Sequence, residues 1–191
     1  MIDGLPRRVW ICGLSGSGKT TVARRVANIL DVPHVELDAL HWRHRPDWGM
    51  PSDEEFLPEV REATAGDAWV VEGNYSRSRD IFWPRVELMV WLDLPLRTAC
   101  WRVLLRTLRR IQSKDQLLWG VQRETVRNAL LTWDGLVLWN LRVYRRRHRT
   151  YTGLMQDATA RGTNVVRLRS QRAVDTWLVD FERRFGPKPQ A

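Results

Sequence analysis

Eight residues near the start of the chain constrain the fold more than any others: Gly13-Leu14-Ser15-Gly16-Ser17-Gly18-Lys19-Thr20. They satisfy the pattern G-x-x-x-x-G-K-[ST] at every defined position. Its glycines let the backbone turn tightly, so that successive N–H groups line one concavity suited to phosphate. Such a loop needs a strand leading in and a helix leading out. Arg8 to Cys12 reads as a short buried strand ending at Gly13. From Gly18 to Leu30, Val22, Val26 and Ile29 recur at helical spacing, with Arg24, Arg25 and Asn28 on the other face. That helix adds its N-terminal partial positive charge. Lys19 is expected to reach the β- and γ-phosphates, and the Thr20 hydroxyl to ligate Mg²⁺. Gly13, Ser15, Gly16, Ser17, Gly18, Lys19, Thr20 and Thr21 are therefore the expected contacts of a nucleoside triphosphate.

The rest of the chain repeats the alternation of strand and helix. His34 to Asp38, Trp69 to Glu72, Leu88 to Asp93 and Asn164 to Leu168 read as four more short strands. Asp31 to Pro33 breaks the first helix, and Ser52 followed by Glu55 is a capping-box signature for a helix running towards Ala65. Leu96 to Arg110, Leu130 to Arg149 and Ala173 to Phe185 read as further helices. In the first of these, Trp101, Leu104, Leu105 and Leu108 are expected to form the buried side. Short apolar strands separated by helices imply a parallel sheet covered on both faces, the α/β class.

A length of 191 residues implies one domain, spanning residues 1–191. With 43% hydrophobic and 28% charged residues the chain has enough apolar material for a core, which excludes a disordered protein. No apolar run approaches a membrane span, and the N-terminus lacks signal-peptide order. Cys12 and Cys100 give neither a disulfide framework nor metal spacing. A reducing, cytoplasmic setting is expected. The net charge of +9 points to an anionic partner. Residues 97–150 hold thirteen of the 31 basic residues but three of the 22 acidic ones, so this segment carries the whole excess. All but three of the basic residues are Arg, which suits planar contact with phosphate or carboxylate.

Five stretches taken together resemble the nucleoside monophosphate kinase group, with adenylate kinase and shikimate kinase as relatives. They are the glycine loop, Leu37-Asp38-Ala39-Leu40-His41-Trp42, Trp69 to Ser76, Trp91-Leu92-Asp93-Leu94-Pro95, and Val166-Arg167-Leu168-Arg169-Ser170. Closer still, the chain is similar to small bacterial kinase-like proteins labelled topology modulation protein. The resemblance implies a P-loop three-layer α/β/α fold with a five-stranded parallel sheet. It also implies an acceptor-side insertion, about residues 39–67, and an Arg-rich helical lid, about residues 107–150. ATP and Mg²⁺ are the implied cofactors, and phosphoryl transfer to a small-molecule acceptor is the implied activity.

Several residue roles follow from this resemblance. Related kinases place a carboxylate where Glu72 stands, holding Mg²⁺ through water; the alternative is a strand-end carboxylate bonded to a nearby loop. Asp38 would orient an acceptor hydroxyl or contact an acceptor base or sugar, or simply cap the next segment. Counting from Pro95, Arg102 would stack on the adenine and Arg106 would contact phosphates. Lys19, Arg106 and the lid candidate Arg142 form the expected catalytic set. Arg77 would hold an acceptor phosphate, and Trp42 and Trp48 could wall the acceptor pocket. Trp10, Trp69 and Trp91 are more simply core, and Asp93 a structural turn. Arg142 to Arg149 exceed what one active site needs, which keeps open a nucleic-acid-associated ATP-binding protein as the alternative. Oligomeric state is not legible.

Overall fold

A computed structural model describes residues 4–42, 51–112 and 136–187. Strand β1 (Arg8–Gly13) occupies the middle of a five-stranded sheet. β3 (Trp69–Glu72) lies on one side of it and β4 (Leu88–Leu92) on the other. β2 (His34–Glu36) and β5 (Asn164–Leu168) close the edges, giving the order β2-β3-β1-β4-β5. Every pairing is parallel. The chain leaves β1 towards β2, and the order reverses there, so a crevice opens at the carboxyl end of the central strand.

Two apolar layers enclose the sheet, because alternate residues of a strand face opposite sides. Val9 and Ile11 of β1 pack with α1 (Lys19–Leu30) and α7 (Gln171–Phe185). Trp10 and Cys12 face the other way, towards α3 (Asp53–Ala63), α4 (Arg79–Phe82) and α6 (Leu136–Ala160). Trp10, Trp69 and Trp91 are core, as their strand positions imply. Helix α1 ends where Asp31 adopts a left-handed conformation, and its N–H caps the carbonyls of Ala27 and Asn28. The capping box of α3 is reciprocal: Ser52 Oγ accepts from the Glu55 N–H, and the Glu55 carboxylate accepts from the Ser52 N–H.

Three expectations need correction. The second strand stops at Glu36, and Leu37–Trp42 forms a short helix, α2. Val35, Leu37 and Asp38 suggested a strand running to Asp38, but Leu37 and His41 are both buried, one helical turn apart. Asp38 thus stands in the first turn of α2 rather than at a strand end. In α5 (Leu96–Gln112) the buried face is Ala99, Val103 and Thr107, not the larger apolar set. Trp101 and Leu108 are exposed, Trp101 by 59%, because α5 turns its small residues to the phosphate loop. Helix α6 runs to Ala160, eleven residues past Arg149, since Tyr151 and Ala158 continue its buried face. Residues 43–50, with Trp48, and 113–135 of the expected lid lie outside the described residues.

Candidate active site

The glycine loop leaves β1 at the carboxyl edge and leads directly into α1. The Leu14 carbonyl accepts from the Ser17 N–H at 3.1 Å and from Lys19 Nζ at 3.2 Å. Lys19 is buried within the curve of its own loop. Gly16 has φ +81°, and a Cβ there would lie 2.4 Å from the Ala99 carbonyl oxygen. Glycine is required because α5 packs directly on the loop. Gly18, also at positive φ, starts α1 beside the Arg102 guanidinium. Arg102 Nη2 donates to Gln171 Oε1 at 2.7 Å, which holds it between the loop and α7. Arg106 is half-buried one turn further along α5. Ser15 and Ser17 lie in the loop, Ser17 buried, while Thr21 is exposed on α1.

Glu72 ends β3 next to the first turn of α1. The Thr20 hydroxyl donates to Glu72 Oε1 at 2.6 Å. Glu72 is 1% exposed, and its Oε2 is buried with no hydrogen-bond partner among the described residues. Burial pushes the carboxyl up to about 7. The Lys19 charge and the Thr20 hydroxyl pull it down, and the neighbouring carboxylates of Asp38 and Glu36 push it further up. A hydroxyl and a carboxylate with one unmet oxygen are the hard oxygen donors that Mg²⁺ selects, so these residues fit the ion.

Gly73 follows at φ +135°, where a Cβ would meet Leu37 Cβ at 2.8 Å. This close approach brings α2 against the end of β3. Asn74 then turns back to the loop: its Nδ2 donates to the Gly13 carbonyl at 2.7 Å, and its Oδ1 accepts the Tyr151 hydroxyl at 2.6 Å. Asn140 of α6 donates from Nδ2 to the Ser15 carbonyl at 2.9 Å.

The structure brings Asp38, Trp42 and Arg77, the residues expected on the acceptor side, around Tyr75. The Asp38 carboxylate and the Trp42 side chain lie close enough to act on the Tyr75 hydroxyl. Burial and the Asp38 carboxylate push the phenol well above its ordinary range. His41 is buried among Trp42, Phe56 and Tyr75. Arg77 Nη2 donates to His41 Nδ1 at 3.2 Å; a guanidinium only donates, so His41 accepts there. Arg77 Nη1 donates to the Pro51 carbonyl and to Asp53, and the guanidinium lies over Phe56. Its groups are thus engaged in holding α2, α3 and the post-β3 turn together.

Two other arginines face the crevice. Arg147 of α6 and Arg79 of α4 both act through their charge on the Tyr151 hydroxyl and on the buried Cys12 thiol. Neither makes an ion pair among the described residues. Arg142, Arg145, Arg146 and Arg149 are exposed. Asp93 accepts from Arg167 Nε and Nη2 at 2.9 and 2.6 Å, and its N–H donates to the Leu168 carbonyl. That is the structural role its position implied.

Sequence reasoning passed over Asn74, Asn140 and Tyr151, whose loop contacts join residues 61 to 125 positions apart or run through such a contact. It weighed Arg147 only as a member of a basic cluster. The four-residue step from Arg147 to Tyr151 was the available signal.

The strand order, the loop after the central strand and the helical cover define a P-loop protein with the nucleoside monophosphate kinase-like α/β fold. A family model described as AAA domain matches residues 9–167, and the chain belongs to that family. Two solved structures share its fold. Shikimate kinase from Bacteroides thetaiotaomicron is 15% identical with a TM-score of 0.54, covering 94% of this chain and 98% of that one. Shikimate kinase from Acinetobacter baumannii in complex with shikimate is 16% identical with a TM-score of 0.56, covering 91% and 89%. No curated protein matches in sequence. Among the described residues no helix is long and apolar enough to cross a membrane, and no cluster of three metal-ligating side chains occurs.

Proposed function

We propose that this protein is an ATP-dependent phosphotransferase that passes the γ-phosphoryl group of ATP to the hydroxyl or phosphate of a small acceptor. The observation that carries this reading is the Thr20–Glu72 contact, with a second, unmet Glu72 oxygen beside Lys19. Glycine-loop N–H groups hold the polyphosphate, and Lys19 neutralises its outer charge. Arg102 lies where a base would stack, and Arg106 and Arg142 answer charge on the transferred group. Thr20 and, through water, Glu72 would hold Mg²⁺, which would supply electrostatic relief of the polyphosphate charge. With a hydroxyl acceptor Asp38 orients it and takes its proton as the new P–O bond forms and the bond to the ADP oxygen breaks; with a nucleotide acceptor, whose phosphate oxygen attacks without a proton to lose, Asp38 contacts the base or sugar. Trp42 walls the acceptor pocket and Arg77 shapes it, either directly or through His41. Arg79 and Arg147 supply the cations that face an acceptor's own charge. A cytoplasmic setting accords with ATP as donor and with two unpaired thiols. The motifs shared with topology modulation proteins remain the narrowest likeness, and nucleotide acceptors are the first class to try.

A second reading has one observation in its favour. Arg142, Arg145, Arg146 and Arg149 fall on one exposed side of α6, a face that suits a phosphate backbone. One experiment separates the two. Mg-ATP is incubated with nucleoside monophosphates, nucleosides and phosphorylatable metabolites, and ADP release is followed. Acceptor-stimulated release that disappears in Lys19→Ala supports the kinase. No stimulation by any acceptor, with duplex DNA binding that falls steeply with salt, supports the second.

A further inference from the structure

Three consecutive carbonyls of the glycine loop are each held by a defined donor. Gly13 O accepts from Asn74 Nδ2, Leu14 O from the Ser17 N–H and Lys19 Nζ, and Ser15 O from Asn140 Nδ2. All peptides of the described chain are trans. In a planar trans peptide the carbonyl and the following N–H point to opposite sides. Fixing these carbonyls therefore fixes the direction of the N–H groups that follow them, those of Leu14, Ser15 and Gly16, on which a phosphate-binding loop relies. The middle carbonyl is fixed from within the motif. The outer two depend on side chains the motif does not contain.

Both outer donors lead to α6. Asn140 acts directly, and is 1% exposed. Tyr151 acts through Asn74, whose Oδ1 takes the tyrosine hydroxyl while its Nδ2 is committed to Gly13. The Asn74 amide also has its orientation set by this contact, because Oδ1 faces a hydroxyl with a proton to give. Seven and eleven residues separate Asn140 from Arg147 and Tyr151, so the three share one helix face. Tyr151 is pinned independently by the rings of Trp10 and Trp91.

We infer that Asn140 and Tyr151 are positioning residues for the phosphate loop, two side chains of α6 that complete the nucleotide site without touching the nucleotide. The inference rests on the loop binding a nucleoside polyphosphate. It predicts a specific failure: loss of either residue weakens ligands that use the loop N–H groups and spares those that do not.

The test uses the full chain and two readouts. MgADP and adenosine binding are measured by calorimetry, and loop amides are followed by ¹⁵N NMR without ligand. Asn140→Ala should weaken MgADP roughly tenfold, the scale of one lost buried hydrogen bond, and leave adenosine unchanged. Asn140→Asp, which sets an acceptor against the Ser15 carbonyl, should weaken MgADP further. Tyr151→Phe keeps the ring packing and removes only the hydroxyl; about threefold to tenfold weakening is expected, and it decides the matter if Asn140 variants fail to fold. Lowered melting temperature with unchanged MgADP affinity overturns the inference, as does equal weakening of adenosine. If the unaltered protein binds no nucleotide, the proposed function falls, and the amides still judge the loop. Leu14 and Gly16 resonances that move in both variants then uphold the positioning role, and unmoved resonances reject it.

Discussion

Arg77 and Arg147 show how differently two arginines of one crevice can be used. Arg77 commits Nη1 and Nη2 to Pro51, Asp53 and His41 and lies over the Phe56 ring, while its Nε is buried without a partner among the described residues. It is a tie between three elements. Arg147 lies beside the Tyr151 hydroxyl and makes no ion pair among the described residues. A cation whose terminal Nη donors are met by protein is already stabilised and gains little from a ligand, whereas one beside a neutral hydroxyl retains capacity for an anion. The same contrast separates the two ends of the site. The end proposed for the donor is built from backbone and needs few side chains, and the end proposed for the acceptor is built from side chains drawn from α2, α3, α4 and α6.

The largest expected effect tests the donor end. Lys19→Ala should lower acceptor-stimulated ADP release by about a thousandfold or more, measured at saturating acceptor, with little change in melting temperature. Retained turnover would remove the donor end from the comparison altogether.

Glu72→Gln comes next, and it should act in opposite directions on activity and stability. Mg²⁺-dependent turnover should fall roughly a hundredfold. Without metal, the Glu72 carboxyl titrates near 7 in the folded protein against an ordinary value of 4.5. The folded form therefore binds the extra proton between these values. The stability this group contributes is complete below about 4.5 and is lost as pH rises through about 7. Glutamine carries no charge at either pH. Metal-free Glu72→Gln should melt a few degrees higher than the unaltered protein at pH 8 and alike at pH 5, by calorimetric scans. Equal shifts at both pH values would refute the titration argument.

The arginine comparison itself is sharpened by three substitutions. Arg79→Ala and Arg147→Ala should each raise the acceptor KM about tenfold or more with small changes in melting temperature. Arg77→Ala should do the reverse: a loss of about 2 kcal/mol of stability, from a half-exposed ion pair, the His41 contact and the Phe56 stacking, with a smaller KM change. Identical profiles for Arg77 and Arg147 would erase the distinction. The smallest effect is expected of Ser52→Ala, which opens the capping box of α3. A cost of about 1 kcal/mol and unchanged kinetics would show that the rim of the acceptor side tolerates local loosening.

What was legible in the sequence had short-range causes. The glycine loop, the strand before it and the helix after it form one continuous stretch, so pattern and conformation coincide. Ser52 and Glu55 cap a helix from three residues apart, and Asp31 ends one locally. The strand positions of Trp10, Trp69 and Trp91 followed from apolar runs that only a buried parallel strand accommodates. Val35 to Asp38 was misread because two buried residues at spacing two fit a strand, while the helix that took Leu37 and Asp38 depended on Gly73 meeting Leu37 from another strand. The buried side of α5 was misread for a related reason. A helix needing close approach to the loop turns Ala99 and Val103 inwards, and larger residues are displaced outwards.

By itself, then, the sequence determined the class of sheet, the phosphate loop with Lys19 and Thr20, and a cationic segment after the fourth strand. These need only neighbours along the chain and the period of a strand or helix. Tertiary structure decided which cations are committed and which face the crevice. It also decided that Glu72 meets Thr20, and that Asn140 and Tyr151 reach the loop from α6. Those choices depend on contacts across 52 to 125 positions, and no local pattern encodes which donor will arrive at which carbonyl.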